Sequence, residues 1–276
     1  MLVAGFFFAV MGICVKLGSI EFSALELVFY RSLFGLVFIA GIIKVRGGTL
    51  ATKHGRMHIS RGLSGLASLS FYFYSITQLP VATAVTLNYT SPMFLALVTV
   101  LWYRERVQPQ IFIAILLGFL GVILVLRPAI SESQLPAGLL GLTSGFLASI
   151  AYLNLKQLSA TGEPDWRVVF YFCLICTVIS GVLLLFYEFH AVSPRGAAIL
   201  LAIGACATIA QLALTRAYRV GKTLVVGSLG YSTVVFASVL GLILLEEVLP
   251  WSSWLGILII IAAGLFAARE SGGTSD

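Results

Sequence analysis

Long apolar runs separated by short polar clusters dominate this chain. A helix needs about 20 apolar residues to cross the hydrocarbon core of a bilayer, and a window of that length predicts ten spans. The first five run Leu2 to Ser19, Ala24 to Ile43, Gly62 to Leu79, Val81 to Tyr103 and Ile111 to Leu126. The second five run Ala137 to Leu155, Val168 to Tyr187, Ala197 to Ala217, Leu224 to Leu245 and Trp251 to Ala268. Connections between them are short. The longest, Lys44 to Arg61, has room only for a surface segment. The first span starts with neither a charged leader nor a small-residue cleavage site, so it reads as a true span rather than a signal peptide.

Composition narrows the class. Of 276 residues, 59% are hydrophobic and only 10% charged, far from the balance of a soluble domain. A water-soluble fold of this size cannot hide so much apolar surface. Soluble enzymes, nucleic-acid binders and disordered proteins are excluded, leaving a multi-spanning membrane protein. The net charge of +6 then matters through which loops hold it. Twelve Lys and Arg residues fall on one side: Lys44, Arg46, Lys53, Arg56, Arg61, Arg104, Arg106, Arg167, Arg216, Arg219, Lys222 and Arg269. Only Arg127 and Arg195 fall on the other. That bias predicts both termini in the cytoplasm. Cys14, Cys173, Cys176 and Cys206 all lie in apolar runs, and Cys173-x-x-Cys176 lacks the partners a zinc site needs. No metal and no cofactor is expected.

The chain also repeats itself at a spacing near 141 residues. Gly5-Phe6 recurs as Gly145-Phe146, Lys16 as Lys156, and Val28-Phe29-Tyr30 as Val169-Phe170-Tyr171. Ser91 falls on Ser232, and Glu105-Arg106-Val107-Gln108-Pro109 on Glu246-Glu247-Val248-Leu249-Pro250. Each half holds five spans, an odd number, so the second half enters the membrane upside down. The expected fold is therefore all-α, ten transmembrane helices in two inverted five-helix repeats, residues 1–130 and 131–270. Inverted repeats are a recurring architecture of secondary transporters, because rocking between two near-equivalent arrangements exposes a central site to each side in turn.

A family resemblance rests on further residues. They are Lys16, Glu26-x-x-Phe29-Tyr30-Arg31, Tyr89-Thr90-Ser91-Pro92, Glu105-Arg106, Gly118-x-x-Gly121 through Arg127-Pro128, and Glu246-Glu247. On these the chain resembles the drug/metabolite transporter superfamily, EamA type, over nearly its whole length. Within it the chain looks most like bacterial S-adenosylmethionine or riboflavin uptake transporters. The resemblance implies a multi-pass protein of a bacterial cytoplasmic (inner) membrane, with the lipid bilayer and a small-molecule substrate as partners, as a monomer or homodimer, and no nucleic acid.

Charges inside a membrane are costly, so each is a candidate for function. Lys16 and Glu26 lie near one interface and are placed to pair, or to fix neighbouring helices. Arg31 lies one to two turns deeper and is expected to face a cavity; its repeat position holds Phe172. Lys156 mirrors Lys16 and reads as snorkelling or coupling. In span four, Pro92 removes an N–H and frees a carbonyl near Asn88, predicting a broken helix where transporters build sites. Tyr74, Asn88, Tyr89, Ser91, Gln211, Tyr231 and Ser232 join Arg31 and Lys16 as substrate-binding candidates. Glu26, Lys156, Pro92, Glu105 and Glu246 are candidates for coupling or gating. Gly141-x-x-x-Gly145 is a weak close-packing signal.

Other classes fare worse. An intramembrane serine enzyme would need a base near Ser64 of Gly62-Leu63-Ser64-Gly65, yet His54, His58 and His190 all fall in predicted loops. The sequence carries neither an HExxH motif nor a phosphate-binding loop. A channel lacks a filter-like segment, and a scaffold gives no reason for the repeat. The cargo expected is a small polar metabolite resembling an amino acid, S-adenosylmethionine or a flavin, since Arg31 and Lys16 favour an anionic group and the tyrosines a planar ring. Export of amino acids or drugs by proton antiport is the alternative.

Overall fold

The computed structural model describes residues 1–103, 132–187, 189–221 and 223–272, with scattered positions between 113 and 124. Most of predicted span five, and Glu105, fall outside the described residues. All regular structure described is helical: α1 (Leu2–Gly18), α2 (Ala24–Arg46), α3 (Gly55–Gln78), α4 (Val81–Asn88), α5 (Ser91–Tyr103), α6 (Leu135–Ala160), α7 (Asp165–Leu184), α8 (Pro194–Val220), α9 (Thr223–Leu229), α10 (Ser232–Leu244) and α11 (Trp251–Gly272). A short 3₁₀ turn, Glu132–Gln134, leads into α6.

Local chemistry sets several of these ends. Ser23 and Glu26 form a capping box on α2, in which the Ser23 hydroxyl accepts from the Glu26 N–H and the Glu26 carboxylate from the Ser23 N–H. The same helix ends on Gly47 in the left-handed region (φ 69°). Ser193 caps α8, with Pro194 in its first turn.

Five described stretches are long and apolar enough to cross a membrane: Ala24–Val45, Leu135–Ala160, Asp165–Leu184, Pro194–Val220 and Val225–Leu244. Leu2–Gly18 and Trp251–Ala263 are shorter apolar helices. Val37 and Phe38 on α2, Ile243 on α10 and Leu258 on α11 all point outward, while Arg31, Arg61, Asn88 and Gln211 are buried. Apolar outside and polar inside suits a lipid solvent and would fail in water.

The two halves of the chain pack in corresponding ways. α3 lies along α6 as α8 lies along α1; α2 contacts α7; α1 touches α10 as α6 touches α5. The predicted spans four and nine are each broken, at Tyr89-Thr90 between α4 and α5 and at Gly230-Tyr231 between α9 and α10. The breaks share one hydrogen-bond pattern: Met93 N–H donates to Thr90 O (2.9 Å), and Val234 N–H to Tyr231 O (3.0 Å). Pro92 explains the first break, having no N–H to continue the helix. The second has no proline, and Gly230 stands there instead.

Glycines 5 and 145 let helices reach these breaks. A Cβ on Gly145 of α6 would lie 2.7 Å from Leu87 O, at the end of α4. One on Gly5 of α1 would lie 2.7 Å from Ser232 Oγ, at the start of α10. Gly141 is equally crowded, 2.7 Å from Ser75 Oγ. The Gly141-x-x-x-Gly145 pattern, a weak signal in sequence, is thus the close contact of α6 with α3 and α4.

Candidate functional site

Among the described residues, seven helices line the central cavity. Phe8 and Met11 come from α1 and Arg31 from α2; Arg61, Gly65, Ser68, Leu69 and Tyr72 come from α3. Asn88 and Tyr89 end α4, and Ala148, Ala151 and Tyr152 lie on α6. Phe172 of α7, with Gln211 and Leu214 of α8, closes the ring. About 70 Å³ inside is open to the centre of a water molecule.

Two guanidinium groups dominate its electrostatics. Arg31 is 3% exposed and Arg61 also 3%. Both address the Phe172 ring, with Arg31 Cζ 5.3 Å and Arg61 Cζ 4.3 Å from its centroid, within cation–π reach. Arg31 Nη2 donates to Gln211 Oε1 at 3.4 Å. Nε and Nη1 of both arginines are buried without a hydrogen-bond partner. No carboxylate is among the described lining residues. Gly65 provides the space: a Cβ there would overlap Arg61 Nη1 and the Phe172 ring.

Of the residues expected to bind substrate, Arg31, Asn88, Tyr89 and Gln211 line this cavity. Asn88 Nδ2 donates to Ser144 Oγ (2.9 Å), and Ser68 Oγ to Ser144 O (2.8 Å), tying the α4 end and α3 to α6. Ser91 and Tyr231 are buried at the two breaks, outside the lining, and Ser232 Oγ donates to Leu229 O. Tyr74 points outward at 41% exposure. Tyr72, two residues earlier, takes the inward position, because a two-residue step turns a helix by more than half a revolution.

Lys16 is not in the cavity and does not pair with Glu26. Its ammonium donates to Ile76 O (3.0 Å) and Leu79 O (2.8 Å) at the end of α3. Lys156 is not a snorkelling residue either: it donates to Tyr218 O (3.3 Å) and Gly221 O (3.2 Å) at the end of α8. Lysines satisfy helix-terminal carbonyls that have no partner of their own. Glu26 is fully buried and, besides Ser23, accepts from the His190 N–H (2.8 Å), with His190 Nδ1 2.9 Å away. Pro92 packs against Gly227. Glu246 is exposed with φ 54°. Its neighbour Glu247 is the carboxylate that reaches inward, both oxygens accepting from the Val81 N–H at 3.0 and 2.8 Å at the start of α4. Burial pushes the Glu247 carboxyl above the ordinary range, against Val81 and Lys16, which pull it down.

The sequence reading missed Arg61, Tyr152 and Glu163. Arg61 counted as a loop charge because the span was started at Gly62, yet α3 begins at Gly55. A signal existed: His58, Arg61, Gly65, Ser68 and Tyr72 recur at helical spacing and all lie on the buried face. His58 is likewise helical and buried, not in a loop. Tyr152 stacks on Tyr218, with centroids 5.1 Å apart. At the end of the bundle away from Lys16, Glu163 accepts from Thr52 Oγ1 and from Arg167 Nη1 at 2.9 Å, while its backbone oxygen accepts from Arg219. Burial would raise the Glu163 carboxyl, but these hydrogen bonds win and hold it below the usual range.

Comparison with known proteins fits this arrangement. Residues 1–127 and again 135–269 match the EamA-like transporter family. The chain is 30% identical to the pseudopaline exporter CntI of Pseudomonas aeruginosa, over 98% of this chain and 95% of that one. It is 27% identical to a riboflavin transporter of Vibrio cholerae (98% and 91% covered). Identity to an S-adenosylmethionine uptake transporter of Rickettsia felis is 23% (87% and 81%). A solved crystal structure shares the fold at 18% identity, with a TM-score of 0.69 over 98% of each chain. The chain, a multi-pass membrane protein, belongs to the EamA-like transporter family.

Proposed function

We propose that this protein is a secondary transporter that moves a small polar metabolite across the cytoplasmic membrane of a bacterium by alternating access. Its ten spans form two inverted five-helix repeats, residues 1–130 and 131–270, with both termini in the cytoplasm. Support comes from the mirrored helix breaks, from the matching lysine contacts, and from two successive matches to one transporter family. Relatives named for export and for uptake leave either direction of travel compatible with the fold. The protein itself does no covalent chemistry in this reading.

The observation that carries the assignment is a buried arginine, Arg31, facing a cavity between the halves beside a broken span. A buried charge is expensive without a partner, and a bound anionic group would supply one. Arg31, Asn88, Tyr89 and Gln211 form the proposed substrate contacts. Lys16, Lys156, Glu26 and Glu247, which hold helix ends and loops, are the groups we assign to gating and coupling. The test is uptake of labelled riboflavin, S-adenosylmethionine and amino acids into proteoliposomes. For whichever is transported, Arg31→Ala is expected to lower the initial rate about tenfold or more, as for loss of one charge-assisted contact. Unchanged uptake in that variant would defeat the site assignment.

A further inference from the structure

Among the described residues, the cavity is lined by two fixed cations, Arg31 and Arg61. Arg31 and Arg61 are both more than nine-tenths buried, and a guanidinium stays charged in any protein environment. Their shared position about the Phe172 ring puts the two guanidinium carbons within roughly 10 Å of each other, each at cation–π range. Every group described around them is neutral: Gln211, Asn88, Ser68 and the tyrosines. Asn88 and Ser68 already spend hydrogen bonds on Ser144. Each guanidinium keeps two N–H-bearing nitrogens unmatched. A monoanion would satisfy one arginine and leave the other uncompensated, and a zwitterion would add a third positive charge. Gly65 bears on the same point, since any side chain there would displace Arg61 from Phe172.

Resting on the transport reading above, we infer that the cargo presents two negative charges to this cavity, as a dicarboxylate or a phosphate monoester, with Arg61 the second specificity-determining residue. Amino acids and other zwitterions are then poor cargo. Charge-assisted, bidentate arginine contacts supply both affinity and orientation.

The probes are isophthalate, phenyl phosphate, benzoate and benzamide, which share a ring and differ in charge. Binding to the full chain in detergent is followed by tryptophan fluorescence and by melting temperature. Isophthalate or phenyl phosphate should bind about tenfold or more tightly than benzoate, and benzamide should not bind; which dianion wins separates paired carboxylates from a single phosphate. Arg61→Met should erase the dianion preference, and Arg61→Lys should restore part of it, with the melting temperature of the ligand-free variants showing that each is folded. Equal affinity for benzoate and both dianions, no binding of either dianion, or an undiminished preference in Arg61→Met overturns the inference. Uptake of a zwitterion that Arg31→Ala abolishes and Arg61→Met leaves intact would sink the dianion while sparing the transport site.

Discussion

Lys16 and Lys156 make the same contact at opposite ends of the bundle. Lys16 donates to Ile76 and Leu79 at the end of α3, and Lys156 to Tyr218 and Gly221 at the end of α8. Every residue in the second set lies one repeat length beyond its counterpart in the first. Each ammonium serves carbonyls the helix has left unpaired. Lys16→Met and Lys156→Met should each destabilise the protein by about 1–2 kcal/mol, read as melting temperature in detergent. The sites lie far apart, so the double variant should show the sum. A loss confined to one of the two would break the correspondence.

The glycines at the helix breaks give a second comparison. Gly145→Ala and Gly5→Ala push a methyl group onto the facing broken span, and overpacking of this kind costs about 1–3 kcal/mol. Gly41 of α2 faces open space, so Gly41→Ala should be neutral or stabilising by up to about 1 kcal/mol. Melting temperatures of the three variants decide the matter; a silent Gly145→Ala would contradict the packing.

Glu163 should make stability depend on acid. Its folded carboxyl titrates below the usual range, so its contribution is complete above the ordinary glutamate value of about 4.3 and fades as pH falls through the lowered one. At pH 7 Glu163→Gln should cost about 2 kcal/mol, since Arg167 and Thr52 lose a charged acceptor. Wild type and variant should converge toward pH 3. Parallel melting curves across that range would refute this.

Glu247 works in the other direction. Its carboxyl is raised by burial, so it takes up a proton at a higher pH in the folded protein than in the unfolded chain. The charged form disfavours the fold above that value, and the penalty is relieved as pH falls through it. If proton movement drives transport, Glu247→Gln should abolish the acceleration of uptake by an imposed pH gradient while leaving substrate counterflow intact. Gradient-driven uptake at the wild-type rate would remove Glu247 from the coupling path.

How much of this was legible in sequence differs from residue to residue. Pro92 announced the first break, because a missing N–H is a local fact. The second break was visible only as polar residues at mirrored positions, since Gly230 is one glycine among many. Arg31 was found because it sits deep within an apolar run. Arg61 was lost because a hydropathy window trims a span at its first charge, although burial here follows the helix face. Tyr72 and Tyr74 were exchanged because the rotation of α3 is set by its packing on α6, where Gly141 meets Ser75, a contact more than sixty residues distant. The partners of Lys16 and Lys156 are equally remote, so the repeat identified the lysines but not what they hold.

Arg31 and Arg61 both belong to the first half of the chain, while the aromatic ring that both address, Phe172, belongs to the second. Without cargo the cavity carries two uncompensated positive charges inside the membrane, and in the transport cycle proposed above a bound dianion cancels them. An electric field across the membrane then acts on the empty carrier, whose reorientation displaces positive charge, and hardly at all on the carrier neutralised by a dianion. Voltage would govern the return stroke rather than the delivery of cargo.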